Sequence, residues 1–321
     1  MTIIITDTNL EKLVADKYDH PIIAIPPGEK YKTRETKAWI EDELLKRKCG
    51  RDTTLLAIGG GVVLDIAGFV AATYMRGIPY ISIPTTLLAM VDASIGGKTG
   101  VNTPFGKNSI GAFYPPLRTE IDLTWLETLP SKEWTNGYAE IVKCAFIHNP
   151  NILTLDLPQM IESSIKAKKE IVAQDPKEKG LRRILNFGHT IGHALELLTH
   201  FKVSHGEAVF FGMLVESGLS HALGFLSKTD LEDIKKILFS YCPSFSFSLD
   251  PSWDWIETMS CDKKAIVKKP RIVLLDKMGS VCNFKGEYCA ECPYTSLEIS
   301  YYARACLGSH GKRQESYSQL S

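Results

Sequence analysis

The sequence predicts an α/β first half followed by a mostly helical second half. Three observations carry this. Up to about residue 130, short apolar runs alternate with amphipathic stretches of helical period. The run Gly59-Gly60-Gly61 falls directly between a strand pattern and a helix pattern. After Pro130 the chain reads as mostly helical.

Ile3 to Ile5 is a short apolar run, a buried strand. Leu10 to Val14 is helical in pattern, and Pro21 to Ile25 is a second strand stopped by Pro26-Pro27-Gly28. Thr36 to Lys48 places Trp39, Ile40, Leu44 and Leu45 between charges, as an amphipathic helix does. Thr53 to Ile58 is a third strand. Val62 to Tyr74 is a helix in which Ala67, Gly68, Ala71 and Ala72 permit close packing. Tyr80 to Ile83 is a fourth strand, ended by Pro84-Thr85-Thr86. Such alternation predicts a parallel sheet with helices on both faces. Beyond Ser131, helices are expected around Tyr138–Phe146, Ile161–Val172 and Val203–Leu223.

Lys+Arg and Asp+Glu balance at 37 each in 321 residues, so no global field draws nucleic acid or an acidic membrane. No apolar stretch is long enough to span a bilayer, and Met1 to Asp7 lacks the basic start and apolar core of a signal peptide. Eight scattered cysteines without a small-domain framework fit a reducing, cytoplasmic setting.

A glycine run between strand and helix is where a pyrophosphate can lie, against unpaired helix N–H groups. Three glycines alone also mean only a tight turn. Asp65, in the next turn, is either an exposed acid favoured by the helix dipole or a hydrogen-bond partner for a cofactor. Gly96-Gly97-Lys98-Thr99 invites a P-loop reading, but Asp92 stands where the first glycine belongs. What remains is Lys98 and Lys107 in glycine-rich loops beside Asn108, a setting for an anion. Glu140 and Lys143 sit on neighbouring positions of a largely apolar helix, which places their charges near a buried site. His189 and His193 are four residues apart and share a face if helical, with His205 following. Spacing alone favours His189 with His193 as metal ligands. Thr190 occupies the position where the metalloprotease pattern needs its glutamate.

These blocks, in this order over about residues 28 to 225, resemble the 3-dehydroquinate synthase family. They are Gly59 to Asp65, Tyr74-Met75-Arg76-Gly77, Ile83 to Leu88, Asp92 through Tyr114, Ala139 to Lys143, Gly180 through His193, and His205-Gly206-Glu207-Ala208-Val209. The resemblance implies a Rossmann-like, nucleotide-binding α/β domain over residues 1–130. A helical metal- and substrate-binding domain would follow over 131–321, with the active site in the cleft between and an atypical tail after about 280. It implies a lyase that uses NAD and a zinc- or cobalt-type metal to convert the sugar-acid phosphate DAHP to 3-dehydroquinate and phosphate. In that chemistry NAD transiently oxidises the substrate, phosphate is eliminated, the hydride returns, the ring opens and an aldol closure follows. A homodimer stays open.

By family match, Glu140, His189 and His205 are the metal ligands, which leaves the open position a catalytic zinc needs. His193 becomes an acid/base or phosphate-contacting group. Arg76, Lys98, Lys107, Asn108 and Lys143 join it as catalytic-set residues, with Asp92, Lys168, Glu178, Arg182, Asn186 and Lys264 (or its neighbour Lys263) on the substrate. Glu29, Lys32, Gly60, Gly61, Asp65, Thr85 and Thr86, together with Lys98 and Lys107, match the cofactor side.

The chain departs from the pattern in places. Leu64 replaces a glycine before Asp65, and Asp175-Pro176-Lys177-Glu178 replaces a more acidic run. Family members usually carry a strand–helix segment ahead of Ile3, so with Met1 as the start one edge of the α/β domain is expected to be missing. Cys289-Ala290-Glu291-Cys292 is a lone pair, and the tail is expected to be divergent or disordered. Other readings are a valiolone- or inosose-type cyclase, a metal-dependent polyol dehydrogenase, and a degenerate non-catalytic homologue.

Overall fold

The computed structural model describes residues 1–260 and 269–317, with side chains described through Leu307. The chain forms two compact units, Met1–Gly137 and Tyr138–Ser321.

Unit one alternates strand and helix. The elements are β1 (Thr2–Asp7), α1 (Glu11–Lys17), β2 (Ile22–Ile25), α2 (Arg34–Lys46), β3 (Thr54–Gly59), α3 (Gly61–Thr73) and β4 (Tyr80–Pro84). A π-helical turn at Ala89–Ala93 leads to β5 (Lys98–Thr103), β6 (Gly106–Phe113) and the short β7 (Arg118–Thr119). The sheet runs β2-β1-β3-β4-β7 with every neighbouring pair parallel. This is why the strands read as unbroken apolar runs: Ile3, Ile4 and Ile5 are all fully buried, and so is all of β4. Because the strands are parallel, their carboxyl ends share one edge. The order turns back between β1 and β3, and that switch point is where open α/β sheets bind ligands.

Lys98 and Lys107 do not lie in loops. They stand on β5 and β6, an antiparallel ribbon with Gly100 opposite Gly111. A Cβ on Gly111 would lie 1.9 Å from the Thr99 carbonyl oxygen, and one on Gly100 2.7 Å from that of Ile110. The glycines that read as loop residues are what lets the two backbones approach so closely.

Unit two takes in most of α4 (Ser131–Ile147), whose first turns belong to unit one. It continues with α5 (Leu157–Gln174), α6 (His189–Leu198), α7 (His205–Ala222), α8 (Lys228–Tyr241) and α9 (Trp255–Ser260). Helix α7 is buried at nearly every position from Gly206 to Ser220, and α6, α8 and α10 (Ser296–Tyr317) pack on it. A helix apolar all round belongs in the centre of a core. Ser204 caps it by accepting the Glu207 N–H at 3.4 Å.

Helices α6 and α7 meet through glycines. A Cβ on Gly212 would lie 1.8 Å from the Gly188 oxygen, and one on Gly192 2.9 Å from the Ala208 oxygen. Gly188 has φ 76° and caps α6, and its N–H donates to buried Glu216 at 2.9 Å.

Residues 269–307 pack into the core of unit two, so the disorder expected of the tail does not extend to them; the polar end that carried that expectation lies beyond the described side chains. Strands β8 (Arg271–Ile272) and β9 (Leu275–Lys277) pair with β11 (Ala290–Glu291) and β10 (Ser280–Val281) respectively. On α10, Ile299, Ala303 and Cys306 recur at i, i+4 and i+7 and are buried. Trp255 donates its indole N–H to the Ser300 hydroxyl at 3.1 Å. Only Ile299 of this stripe is a large aliphatic residue, and Ala303 and Cys306 are weak apolar signals, which is why composition hid it. We expect Ile299→Ala to cost about 2–4 kcal/mol of unfolding free energy in urea titration. A midpoint unchanged from wild type would mean α10 does not contribute to the core.

Candidate active site

Unit one gathers its candidate residues at the carboxyl edge of the sheet. Gly60 caps α3 just beyond β3, and a Cβ there would meet the Thr86 side chain at 3.1 Å. Thr85 follows β4 directly, and its N–H donates to the Gly59 carbonyl at 3.1 Å. Thr86 accepts the Ala89 N–H at 3.1 Å and so starts the turn that carries Asp92. Glu29 and Lys32 lie in the turn after β2. Lys32 is buried and its ammonium pairs with Asp65 on α3. Burial raises the Asp65 carboxyl above the ordinary range while Lys32 pulls it back down.

The β5–β6 ribbon is tied to this cluster. The Asn102 side chain donates to Glu29 Oε1 at 2.8 Å and accepts the Asn108 N–H at 2.8 Å, while its backbone N–H donates to the Lys32 carbonyl at 2.7 Å. Arg76 is not gathered here. It sits beyond the other end of α3, exposed, with φ 68°.

Unit two brings together Glu140 of α4, His189 at the start of α6 and His205 at the start of α7. Their ligand atoms lie within 4.8 Å of one another. Glu140 Oε1 is 3.3 Å from His189 Nε2 and 3.6 Å from His205 Nε2, and Lys143 pairs with Oε2. A tetrahedral zinc-type ion with bonds near 2.1 Å holds its donors about 3.4 Å apart. Glu140 is 3% exposed, and among the described residues neither of its oxygens has a hydrogen bond of ordinary geometry. One carboxylate and two imidazoles, so placed, fit a divalent metal.

Burial opposes the Glu140 charge, yet Lys143 and His189 outweigh it and hold the carboxyl well below its usual range. Burial likewise opposes the charged form of His205, but Glu140 and Glu196 outweigh it and raise that imidazole to about 9.

His193 stands beside this trio, its ring centroid 5.4 Å from that of His189 and 6.3 Å from that of His205. With Glu196 and His205 it forms a second trio of ligand-type atoms. Upstream, Asp175 accepts the N–H groups of Lys179, Gly180 and Arg182 at 2.7–3.1 Å, folding that loop back on itself. Arg182 is buried and donates to the Pro176 carbonyl at 2.8 Å, and Asn186 donates to Glu178 at 3.1 Å. Lys168 is buried on α5. Lys263 and Lys264 lie outside the described residues.

Residues 22–136 match the family described as 3-dehydroquinate synthase N-terminal, and residues 137–265 the one described as 3-dehydroquinate synthase C-terminal. A 3-dehydroquinate synthase from Campylobacter concisus is 43% identical over 85% of this chain and 82% of its own length. The chain belongs to the 3-dehydroquinate synthase family.

It is also 41% identical to the pentafunctional AROM polypeptide of Pneumocystis carinii over 88% of the chain, but spans only 22% of that protein. The chain thus covers about a fifth of the length of such AROM relatives. A crystal structure of 2-deoxy-scyllo-inosose synthase, complexed with carbaglucose-6-phosphate, NAD+ and Co2+, superposes with TM-score 0.86 at 26% identity, covering 95% of this chain and 90% of that one. No helix among the described residues is long and apolar enough to cross a membrane.

Within this synthase family the chain's Leu64 departure is absorbed locally: the side chain is 4% exposed and lies in the core of unit one. Three residues escaped the sequence reading. Asn102 carries no motif, and its role appears only when the ribbon folds back. Asp7 closes β1 at the carboxyl edge, where burial raises its carboxyl. Glu196 falls two helical turns after His189 on α6, a spacing that was legible. The Cys289–Cys292 pair is buried, and no metal-ligand group among the described residues includes either thiol.

Proposed function

We propose that the chain is a 3-dehydroquinate synthase of the shikimate pathway, acting in aromatic amino acid biosynthesis. It takes DAHP to 3-dehydroquinate and inorganic phosphate with NAD and a zinc- or cobalt-type metal. The observation that carries this is the convergence of half-buried His189 and His205 on buried Glu140, with donor spacing suited to a divalent ion. When bound, the metal supplies a Lewis acid for a substrate hydroxyl, and NAD a hydride acceptor that returns the hydride within the turnover.

The chain's own residues do the rest. Glu140 and the two Nε2 atoms would hold the metal. His193, beside them but outside the trio, moves a proton. Lys143, Lys168 and Arg182 bring buried positive charge to a substrate with a carboxylate and a phosphate. The α3 N-terminus at Gly60 and Gly61 offers backbone N–H groups to a pyrophosphate, with Asp65, Thr85 and Thr86 around it. The seven described cysteines are free and buried, which accords with a reducing cytoplasm.

A second reading is a cyclase for another sugar phosphate, favoured by the inosose synthase likeness. Lys168, Arg182 and Asn186, which together match the dehydroquinate synthase pattern, favour the acid substrate instead, and the first two are buried. The test is phosphate release with DAHP and with sedoheptulose 7-phosphate, with NADH followed by absorbance. We expect turnover of DAHP alone, without net NADH. Turnover of only sedoheptulose 7-phosphate, stoichiometric NADH, or neither metal nor phosphate release would each overturn the assignment.

A further inference from the structure

Two imidazoles face Glu140 through Nε2, and each turns its Nδ1 toward a protein acceptor. For His189 the acceptor is the Phe187 carbonyl, at 3.1 Å. For His205 it is the Glu196 carboxylate, whose Oε2 lies 3.8 Å from Nδ1, an ion-pair distance that a small side-chain adjustment closes to a hydrogen bond. Glu196 is 5% exposed, on a helix whose Ile191, Ala194 and Leu195 are core residues. A carboxylate in such surroundings is costly unless it is paired.

We propose that Glu196 is a positioning residue for the metal centre: it accepts the Nδ1–H of His205 and so presents Nε2 to the ion. The proposal rests on the metal reading above and extends it to a residue outside the ligand set. A metal-bound imidazole needs its other nitrogen protonated and held, and a carboxylate does both while making the ligand more electron-rich. The two acceptors differ in kind. The Phe187 carbonyl is fixed by the backbone turn into α6, whereas Glu196 is a side chain that substitution can remove. Glu196 also belongs to the second trio, with His193 and His205. If His205 bound a metal there through Nδ1, that nitrogen could not also donate to Glu196, so the two roles are separable by experiment.

The test measures Co2+ affinity by chelator competition, together with the visible Co2+ spectrum, for wild type, Glu196→Gln, Glu196→Ala and His205→Ala. Circular dichroism confirms folding, and the near-isosteric glutamine variant covers the case in which the alanine variant does not fold. The glutamine side-chain oxygen still accepts a hydrogen bond. We expect Glu196→Ala to weaken Co2+ binding about 10–100-fold, Glu196→Gln to recover part of that loss, and both to keep the wild-type spectral envelope. Affinity equal to wild type in both variants would overturn the proposal. A changed envelope, or loss as complete as in His205→Ala, would make Glu196 a ligand and also overturn it. A wild-type chain that binds no Co2+ would instead sink the metal reading itself.

Discussion

Replacing His193 with alanine is expected to leave the bound metal in place while turnover falls about 10²–10⁴-fold, the usual worth of a positioned proton-transfer group. The geometry separates two histidines that share a helix face. His189 points Nε2 at Glu140 Oε1, as His205 does, whereas His193 is outside that trio and groups instead with Glu196 and His205. Metal content after gel filtration, set beside phosphate release, reads the two effects apart. His189→Ala supplies the contrast, because on the proposed reading it deletes a ligand and should lose the metal. If His193→Ala loses metal as completely, His193 is itself a ligand, and the trio with Glu196 and His205 is the occupied one.

Gly212→Ala is expected to destabilise unit two by about 3 kcal/mol or more, the upper end for overpacking, and to lower metal affinity with it. The added Cβ would fall 1.8 Å from the Gly188 oxygen and 3.0 Å from the Gly192 N, and both obstacles are backbone. No rotamer relieves such a clash, so α6 must shift along or away from α7. That shift would pull Gly188 off Glu216 and move His189 relative to His205, since each histidine opens one of the two helices. Urea denaturation and metal titration on the same variant test both halves. Wild-type midpoint together with wild-type affinity would show that the interface has slack the structure does not indicate.

Much of the fold was legible for a simple reason. Parallel strands buried on both faces must be apolar without interruption, so β1, β3 and β4 stood out as runs, and glycine and proline marked their ends. The β5–β6 ribbon was not legible. Its central pair is Gly100 and Gly111, and glycine in a lone sequence argues for a loop until a partner strand is known to lie against it. Helix α10 hid for another reason: its buried stripe uses Ile299, Ala303 and Cys306, of which only Ile299 is a large aliphatic residue.

At the candidate site, spacing along one helix paired His189 with His193. The third member of the structural trio, Glu140, comes from α4, far back in the chain. Only the family resemblance, never the local periodicity, pointed to it. Glu196 shares the His189 face and could have been found by counting turns. Asn102 could not, because its partners Glu29 and Lys32 precede it by α2, β3, α3, β4 and the π-helical turn.

The Asn102 brace has a thermodynamic corollary. It joins the ribbon bearing Lys98, Lys107 and Asn108 to the turn bearing Glu29 and Lys32, and Lys32 is in turn clasped to Asp65. A ligand that engaged Asp65 would compete with Lys32, and the Asn102 bonds are the route by which that exchange would reach the ribbon. If the sheet edge and the ribbon each hold a ligand, as the proposed function requires, their occupancies are linked functions. Whatever factor the first changes the second by, the second must return to the first.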